Sequence, residues 1–346
     1  MHETAISAEE RDRIKKILSL YDFPFNFPRI VRNTVGYINK TYIISEKKKK
    51  YVLRESNSNT DPKHIYLEVE ILHYLADCKF KLTAKVYPNK KGKYLTIYGR
   101  KYYMLQSFVE GKPKASWNNL KGLNIPMLES LFSVCAVFAK TVAKFHYVKK
   151  IENKTLYYYV KNGKKLFSQH FNKIPKSKGR DLLSMSKSEI FDFIEKNKAE
   201  FEKFGYDSFP KQIVHFDLHA GNANYIGNKV SGIFDFDWAR FDSRISDIAA
   251  TISQTCYYFG GKKAGLYKRD WINKGLHAYF KAYGKSELSH KDERQLVKIA
   301  LKAYNFFQVL WCMDFYQDNT KGRKGYEILL QFNNIIVKNN YDKLFA

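Results

Sequence analysis

The stretch from Ile213 to Asp247, IVHFDLHAGNANYIGNKVSGIFDFDWARFDSRISD, concentrates the residue types that could do chemistry. His215, Asp217 and Asn222 form H-x-D-x-x-x-x-N, and thirteen residues after Asn222 comes Asp235-Phe236-Asp237, behind the apolar run Gly232-Ile233-Phe234. A carboxylate just after a short apolar strand can take a proton from an attacking hydroxyl, which is the work of Asp217 in this reading. The Asn222 amide oxygen and the Asp235 carboxylate are hard oxygen donors of the kind magnesium takes. A general base and two magnesium ligands on short loops are what phosphoryl transfer asks of a protein. Any one of these residues alone reads equally as a turn or cap residue; the combination and its spacing carry the expectation.

Other residues in and around the stretch take supporting roles. His215 orders the catalytic loop, and His219, two residues after Asp217, is placed to touch the transferring phosphate or the substrate. Asp247 opens a helix, where it caps the N-terminus or bonds the catalytic loop. Asp237 and Asp242 read as supporting groups, substrate contacts or surface acids. Asp237 is the better candidate, because it lies two residues from Asp235 and so on the same face of an extended segment. Arg54 ends the strand YVLR, where a cation can pair a nucleotide's phosphates while an acid of the next helix, Glu68 or Glu70, holds it.

The elements that must position these residues follow from capping and periodicity. Ser7 and Glu10 form a capping box for a helix over 7–20 with an Ile14, Ile17, Leu18 stripe. From Arg29 the pattern alternates, predicting strands near 29–35, 38–45 and 50–55, with a bend at Gly36 and a turn at 46–49. Asp61 and Pro62 start a helix to Ala76. KLTAKVY, Lys93–Tyr98 and Lys101–Val109 read as further strands, so after the leading helix a run of strands with one helix among them precedes Gly111, a small α+β lobe. Then the chain turns helical. Met127–His146 is apolar almost all round and reads as a core helix, and 150–210 is a charged helical region including Ser186–Phe204. Short strands near 213–215, 223–226 and 231–235 carry the motif, and helices over 246–258, 266–283, 289–315 and 324–338 close the chain.

Composition bounds the partners. The chain has 346 residues, 45% hydrophobic and 27% charged, as a globular protein has. Lys and Arg outnumber Asp and Glu by 60 to 34, a net charge of +26. That favours anionic partners, nucleotide among them. The bases are dispersed and no aromatic-plus-basic recognition motif is visible, so no nucleic-acid partner is expected. Cys78, Cys135, Cys256 and Cys312 lack metal-ligand or redox spacing and read as buried thiols in a reducing cytoplasm. MHETAISAEERDRIKK has no apolar core, and the longest apolar runs are interrupted by Lys or Ser, so no membrane partner is expected.

These motifs resemble the aminoglycoside phosphotransferase-like family of small-molecule kinases, which includes choline and homoserine kinases. VHFDLHAGNANY is similar to its catalytic loop and VSGIFDFDWARFDSRISDIA to its metal segment. YVLRES is similar to its third strand, and VAKFHYV to the helix end where His146 is structural. Glu68 with Leu72 and Leu75 matches its E-x-x-x-L-x-x-L helix, which selects Glu68 over Glu70. YMLQSFVEGKP looks like its interlobe linker, where the backbones of Ser107 and Val109 would meet adenine and Gln106 would back the pocket. Gly36 would lie in the nucleotide-covering loop.

The resemblance implies an α+β, protein-kinase-like, two-lobed fold. A nucleotide-binding lobe with a leading helix would span 1–108 and a catalytic, substrate-binding helical lobe 109–346. ATP, or GTP, would lie between the lobes, with magnesium on Asn222 and Asp235. The acceptor would be a hydroxyl of a small molecule such as an amino alcohol or sugar. An aminoglycoside-type antibiotic kinase and a nucleotide-binding pseudokinase scaffold are the alternatives. The chain departs from protein kinases in having Arg54 for lysine, His219 for lysine and Asp237 for the glycine of Asp-Phe-Gly, and these departures favour a small acceptor.

Overall fold

The structure, a computed structural model, describes residues 3–23, 25, 28–33, 39–56, 60–116, 119–147, 153–259, 261–285, 290–318 and 323–345. The chain groups into two compact units. One comprises Met1–Pro113, Phe145–Ile151 and Ala223–Ala239; the other comprises Lys114–Lys144, Glu152–Asn222 and Arg240–Ala346.

The first unit begins with β1 (Glu3–Thr4), α1 (Ala8–Leu18), β2 (Arg29–Asn33), β3 (Lys40–Glu46) and β4 (Lys49–Glu55). There follow α2 (Pro62–Asp77), β5 (Val86–Tyr87), β6 (Thr96–Tyr98) and β7 (Lys101–Ser107). The strands make one antiparallel sheet in the order β1-β2-β3-β4-β7-β5, with β6 also on β7. Period-two alternation decides what each face carries. Tyr42 and Ile44, Tyr51 and Leu53, Tyr103 and Leu105 point to one side, where they bury against Ile14, Ile17 and Leu18 of α1. Arg54 has the opposite parity and pairs with Glu68 of α2. Ser7 caps α1, accepting the Glu10 N–H at 3.1 Å, and Asp61 caps α2, accepting the Lys63 N–H at 2.9 Å.

The second unit starts with α3 (Ile125–Val142), capped by Asn124 on the Met127 N–H at 2.9 Å. With a mean hydropathy of 1.5 over 18 residues, α3 is long and apolar enough to cross a membrane. Here Leu128, Leu131, Phe132, Cys135 and Phe138 are buried in the unit's core. Phe132 fills the space over Gly275, where a Cβ would come within 2.6 Å of the ring. The helix ends at Val142, and His146 lies beyond it, exposed. The charged region that follows is four helices: α4 (Leu156–Lys161), α5 (Gly163–Lys173), α6 (Lys178–Met185) and α7 (Lys187–Lys203).

β8 (Gln212–Val214) leads into the motif. β9 (Ala223–Ile226) and β10 (Lys229–Ile233) form a hairpin that groups with the first unit. There Asn224 donates to the Val109 carbonyl at 2.8 Å and the Ile233 N–H to Leu82 O at 2.8 Å. β11 (Arg240–Asp242) pairs with β8, and the chain closes with α8 (Ile245–Thr255), α9 (Arg269–Tyr283), α10 (His290–Asp318), α11 (Arg323–Lys338) and α12 (Tyr341–Phe345).

Several sequence expectations need correction. KLTAKVY is a strand only at Val86–Tyr87. β1, β11 and α12 are too short, at two, three and five residues, for a periodicity to register. Cys135, Cys256 and Cys312 are buried, but Cys78, at the end of α2, is exposed.

Candidate active site

In the second unit, the loop that carries His215, Asp217 and Asn222 leaves β8 through a sharp backbone turn. Phe216 has φ 65°, a left-handed conformation that a bulky side chain rarely adopts. Such strain is of the order of 1–3 kcal/mol and persists only where the surroundings over-determine it. Asp247, in the first turn of α8, accepts the Phe216 N–H at 2.7 Å and the His215 N–H at 3.0 Å. The Tyr304 hydroxyl donates to Phe216 O at 2.9 Å, and the Arg240 guanidinium lies 3.8 Å over the Phe216 ring. Burial pushes the Asp247 carboxyl up to about 7, against the pull of the two backbone donors. His215 is fully buried, edge-on to Phe138 of α3 at 6.3 Å.

That turn delivers Asp217 with both carboxylate oxygens engaged. Gln254 Nε2 donates to Oδ1 at 2.7 Å and Asn222 Nδ2 to Oδ2 at 2.9 Å. The Asp217 side chain is 22% exposed, which leaves an approach for a hydroxyl. Asn222 Nδ2 also donates to Asp217 O at 2.9 Å, so its nitrogen faces the loop and its carbonyl oxygen is the atom suited to a metal. His219 is 5% exposed, and burial lowers its pKa to about 4. Its Nδ1 accepts the Gly221 N–H at 3.0 Å, which puts the single proton of the neutral ring on Nε2, 3.9 Å from Asp217 Oδ2. The loop therefore presents a carboxylate beside a neutral N–H donor.

In the first unit, Arg54 gathers the other predicted residues. Its Nη1 bonds Glu68, and its Nη2 bonds Asp237 and, at 3.1 Å, Asp235. Asn39 donates to the other oxygen of Asp237. Glu70, two residues from Glu68, is exposed instead. Asp235 follows β10 with φ 72°, and its side chain is 46% exposed where Glu68 is 4%. Burial works against the Arg54 charge, but Asp237, Glu68 and Asp235 outweigh it and hold the guanidinium above its ordinary value. Burial pushes the Glu68 carboxyl up, Arg54 pulls it down, and Asp237 and Asp235 push it up again, so the net direction is upward.

One cation among three carboxyl groups makes a cluster whose outward-facing oxygen, on Asp235, suits a divalent cation. No cluster of three or more His, Cys, Asp or Glu stands ready as a metal cage among the described residues.

The linker residues are partly engaged already. The Ser107 N–H donates to Lys85 O at 2.8 Å, and Ser107 Oγ accepts the Lys85 N–H at 2.9 Å. The Val109 carbonyl is the one that Asn224 meets. Gln106 is half-buried and donates to the Met104 sulfur at 3.4 Å. Gly36 lies outside the described residues. Asp242 is buried as an anchor for α4, accepting the Leu156 N–H at 2.7 Å, and burial pushes it up to about 6.

Sequence reasoning missed Gln254, Thr251 and Thr255 of α8, Tyr304 of α10, and Asn39. The first three carry a signal after the fact: with Asp247 they recur at i, i+4, i+7 and i+8, one polar face of the helix, with Ser246 and Ser253 lying off it. Tyr304 and Asn39 carry none.

Comparison with known proteins adds to this geometry. The model of the phosphotransferase enzyme family matches residues 29–287. Homoserine kinase of Zymomonas mobilis subsp. mobilis is 22% identical over 260 residues, 73% of this chain and 72% of its own. An amicoumacin kinase solved with AMP-PNP, Ca2+ and Ami superposes with a TM-score of 0.68 at 17% identity, covering 97% of each chain. A microcompartment-associated aminopropanol kinase superposes with a TM-score of 0.65 at 12% identity, over 94% of this chain and 95% of its own. The fold they share with this chain is protein-kinase-like, an antiparallel-sheet unit with a mostly helical remainder.

Proposed function

Because the chain belongs to the phosphotransferase enzyme family of small-molecule kinases, we propose that it transfers the terminal phosphate of ATP to a hydroxyl of a small amino alcohol or sugar, with Asp217 as general base. The observation that carries this reading is the Asp217 carboxylate, pinned at both oxygens yet 22% exposed. Phosphoryl transfer depends mainly on position and charge, so a held base facing outward is the main thing the protein must supply. Asp217 orients the acceptor hydroxyl and receives its proton. His219 offers its Nε2–H to a phosphate or acceptor oxygen. Arg54, held by Glu68 and Asp237, pairs the nucleotide phosphates. Asn222 Oδ1 and Asp235 would hold magnesium, which when bound neutralises charge on the phosphate oxygens.

The amino-alcohol acceptor is favoured by the likeness to a homoserine kinase and an aminopropanol kinase. The balance of 60 bases to 34 acids disfavours a polycationic aminoglycoside. The test is purified protein with ATP and magnesium against pooled amino alcohols, sugars and antibiotics, read by mass spectrometry for a phosphate gain. Asp217→Asn, still folded and nucleotide-binding, should lose about 100-fold or more of the rate. Transfer that survives Asp217→Asn would overturn the base. Nucleotide binding with no transfer to any compound would point to a scaffold instead.

A further inference from the structure

Resting on Asp217 as the base, we infer that Gln254 is a positioning residue that holds the base's carboxylate in its working orientation. The inner face of α8 follows the catalytic loop residue by residue. Asp247 takes the His215 and Phe216 N–H groups, the Thr251 hydroxyl donates to Leu218 O at 2.8 Å, and Thr255 Oγ1 accepts the Ala220 N–H at 3.4 Å. Those three side chains set the path of the loop backbone. Gln254, 6% exposed on the same face, instead holds the reacting side chain, with Nε2 at 2.7 Å from Asp217 Oδ1.

The orientation of the Gln254 amide follows from its neighbours. Its Nε2 has two hydrogens, and the second goes to the Tyr304 hydroxyl at 2.8 Å. That hydroxyl has one proton, which goes to Phe216 O at 2.9 Å, and it accepts again from Gln308 Nε2 at 3.0 Å. A flipped Gln254 would set its carbonyl oxygen against the Asp217 carboxylate and against a hydroxyl whose proton is already committed. Burial, with Asp217 nearby, keeps Tyr304 a phenol, so the direction of the chain is stable. With Gln254 on one oxygen and Asn222 on the other, rotation breaks a bond at each.

The experiment compares the full-length protein with Gln254→Met, which preserves the side chain's length and removes the donor. Expected is a kcat lower by about 10- to 100-fold, with KM for ATP and acceptor within about twofold and the thermal midpoint retained. If Gln254→Met does not fold, Gln254→Glu preserves the shape but sets a carboxyl group against Asp217, and the same loss of kcat at steady KM is expected. Asp217→Asn runs alongside. Activity surviving in Asp217→Asn sinks the base assignment itself. An inactive Asp217→Asn with a folded Gln254 variant at wild-type kcat, or one whose KM values rise as its kcat falls, overturns the positioning role and leaves the base standing.

Discussion

Replacing His219 by glutamine should flatten the acid side of the protein's stability curve. The ring is 5% exposed, and Gly221 N–H occupies its Nδ1 at 3.0 Å, so a second proton would have to displace that bond inside the protein. Burial accordingly lowers its pKa from 6.5 to about 4. The unfolded chain takes up a proton near 6.5 that the folded chain refuses until about 4, so this contribution is full above about 6.5 and is lost progressively as pH falls to about 4. At about 1.4 kcal/mol per pH unit, the loss across that window is roughly 3 kcal/mol.

Two buried acids act in the opposite sense. Asp242 and Asp247, pushed up to about 6 and about 7, bind protons in the folded state before they would in the unfolded one and so stabilise on acidification. The quantity to measure is therefore the difference between wild type and His219→Gln, since glutamine can accept the Gly221 N–H without titrating. Thermal midpoints taken from about pH 8 to about pH 4.5 should differ by a constant above about 6.5. Below that, the wild type should lose roughly 4 °C relative to the variant. Midpoint curves that stay parallel down to about pH 4.5 would refute the neutral, buried His219.

Arg54→Met leaves Glu68, 3% exposed, without its cation, and should cost about 3–5 kcal/mol in unfolding experiments. Arg54→Lys keeps the charge but not the fork, so its loss should be clearly smaller; equal losses would mean the charge is immaterial. Asp247→Ala strips the acceptor from two buried N–H groups, at about 1–3 kcal/mol each, and frees the Phe216 turn. It should lower both the thermal midpoint and kcat, and an unchanged midpoint would contradict that role. Gly221→Ala places a Cβ 2.6 Å from His219 Cε1 and 3.3 Å from the Ser116 Cα, so the ring must move. About a tenfold drop in kcat is expected in steady-state assays, and an unaltered kcat would show that the ring's orientation does not matter.

The sequence by itself determined what is local. Ser7 and Asp61 each bond an N–H within three residues, and such caps can be read where the right residue precedes an apolar period. The parity of β4, which separates Arg54 from Leu53, is equally local, because successive side chains must face opposite ways. So is the spacing of His215, Asp217 and Asn222, which lie on one loop whose geometry spans a few residues.

Only the tertiary structure decided the partners. Gln254 meets Asp217 across 37 positions, Tyr304 meets Phe216 across 88, and Asn39 meets Asp237 across 198. A buried glutamine or tyrosine on a helix looks the same in sequence whether it bonds a base or fills a core. Its hydrogen bond exists only once packing has excluded water and left one partner within reach. Asp217 was readable as a candidate base from its type and its place after a strand; that its carboxylate is held at both oxygens was decided by where α8 and α10 pack.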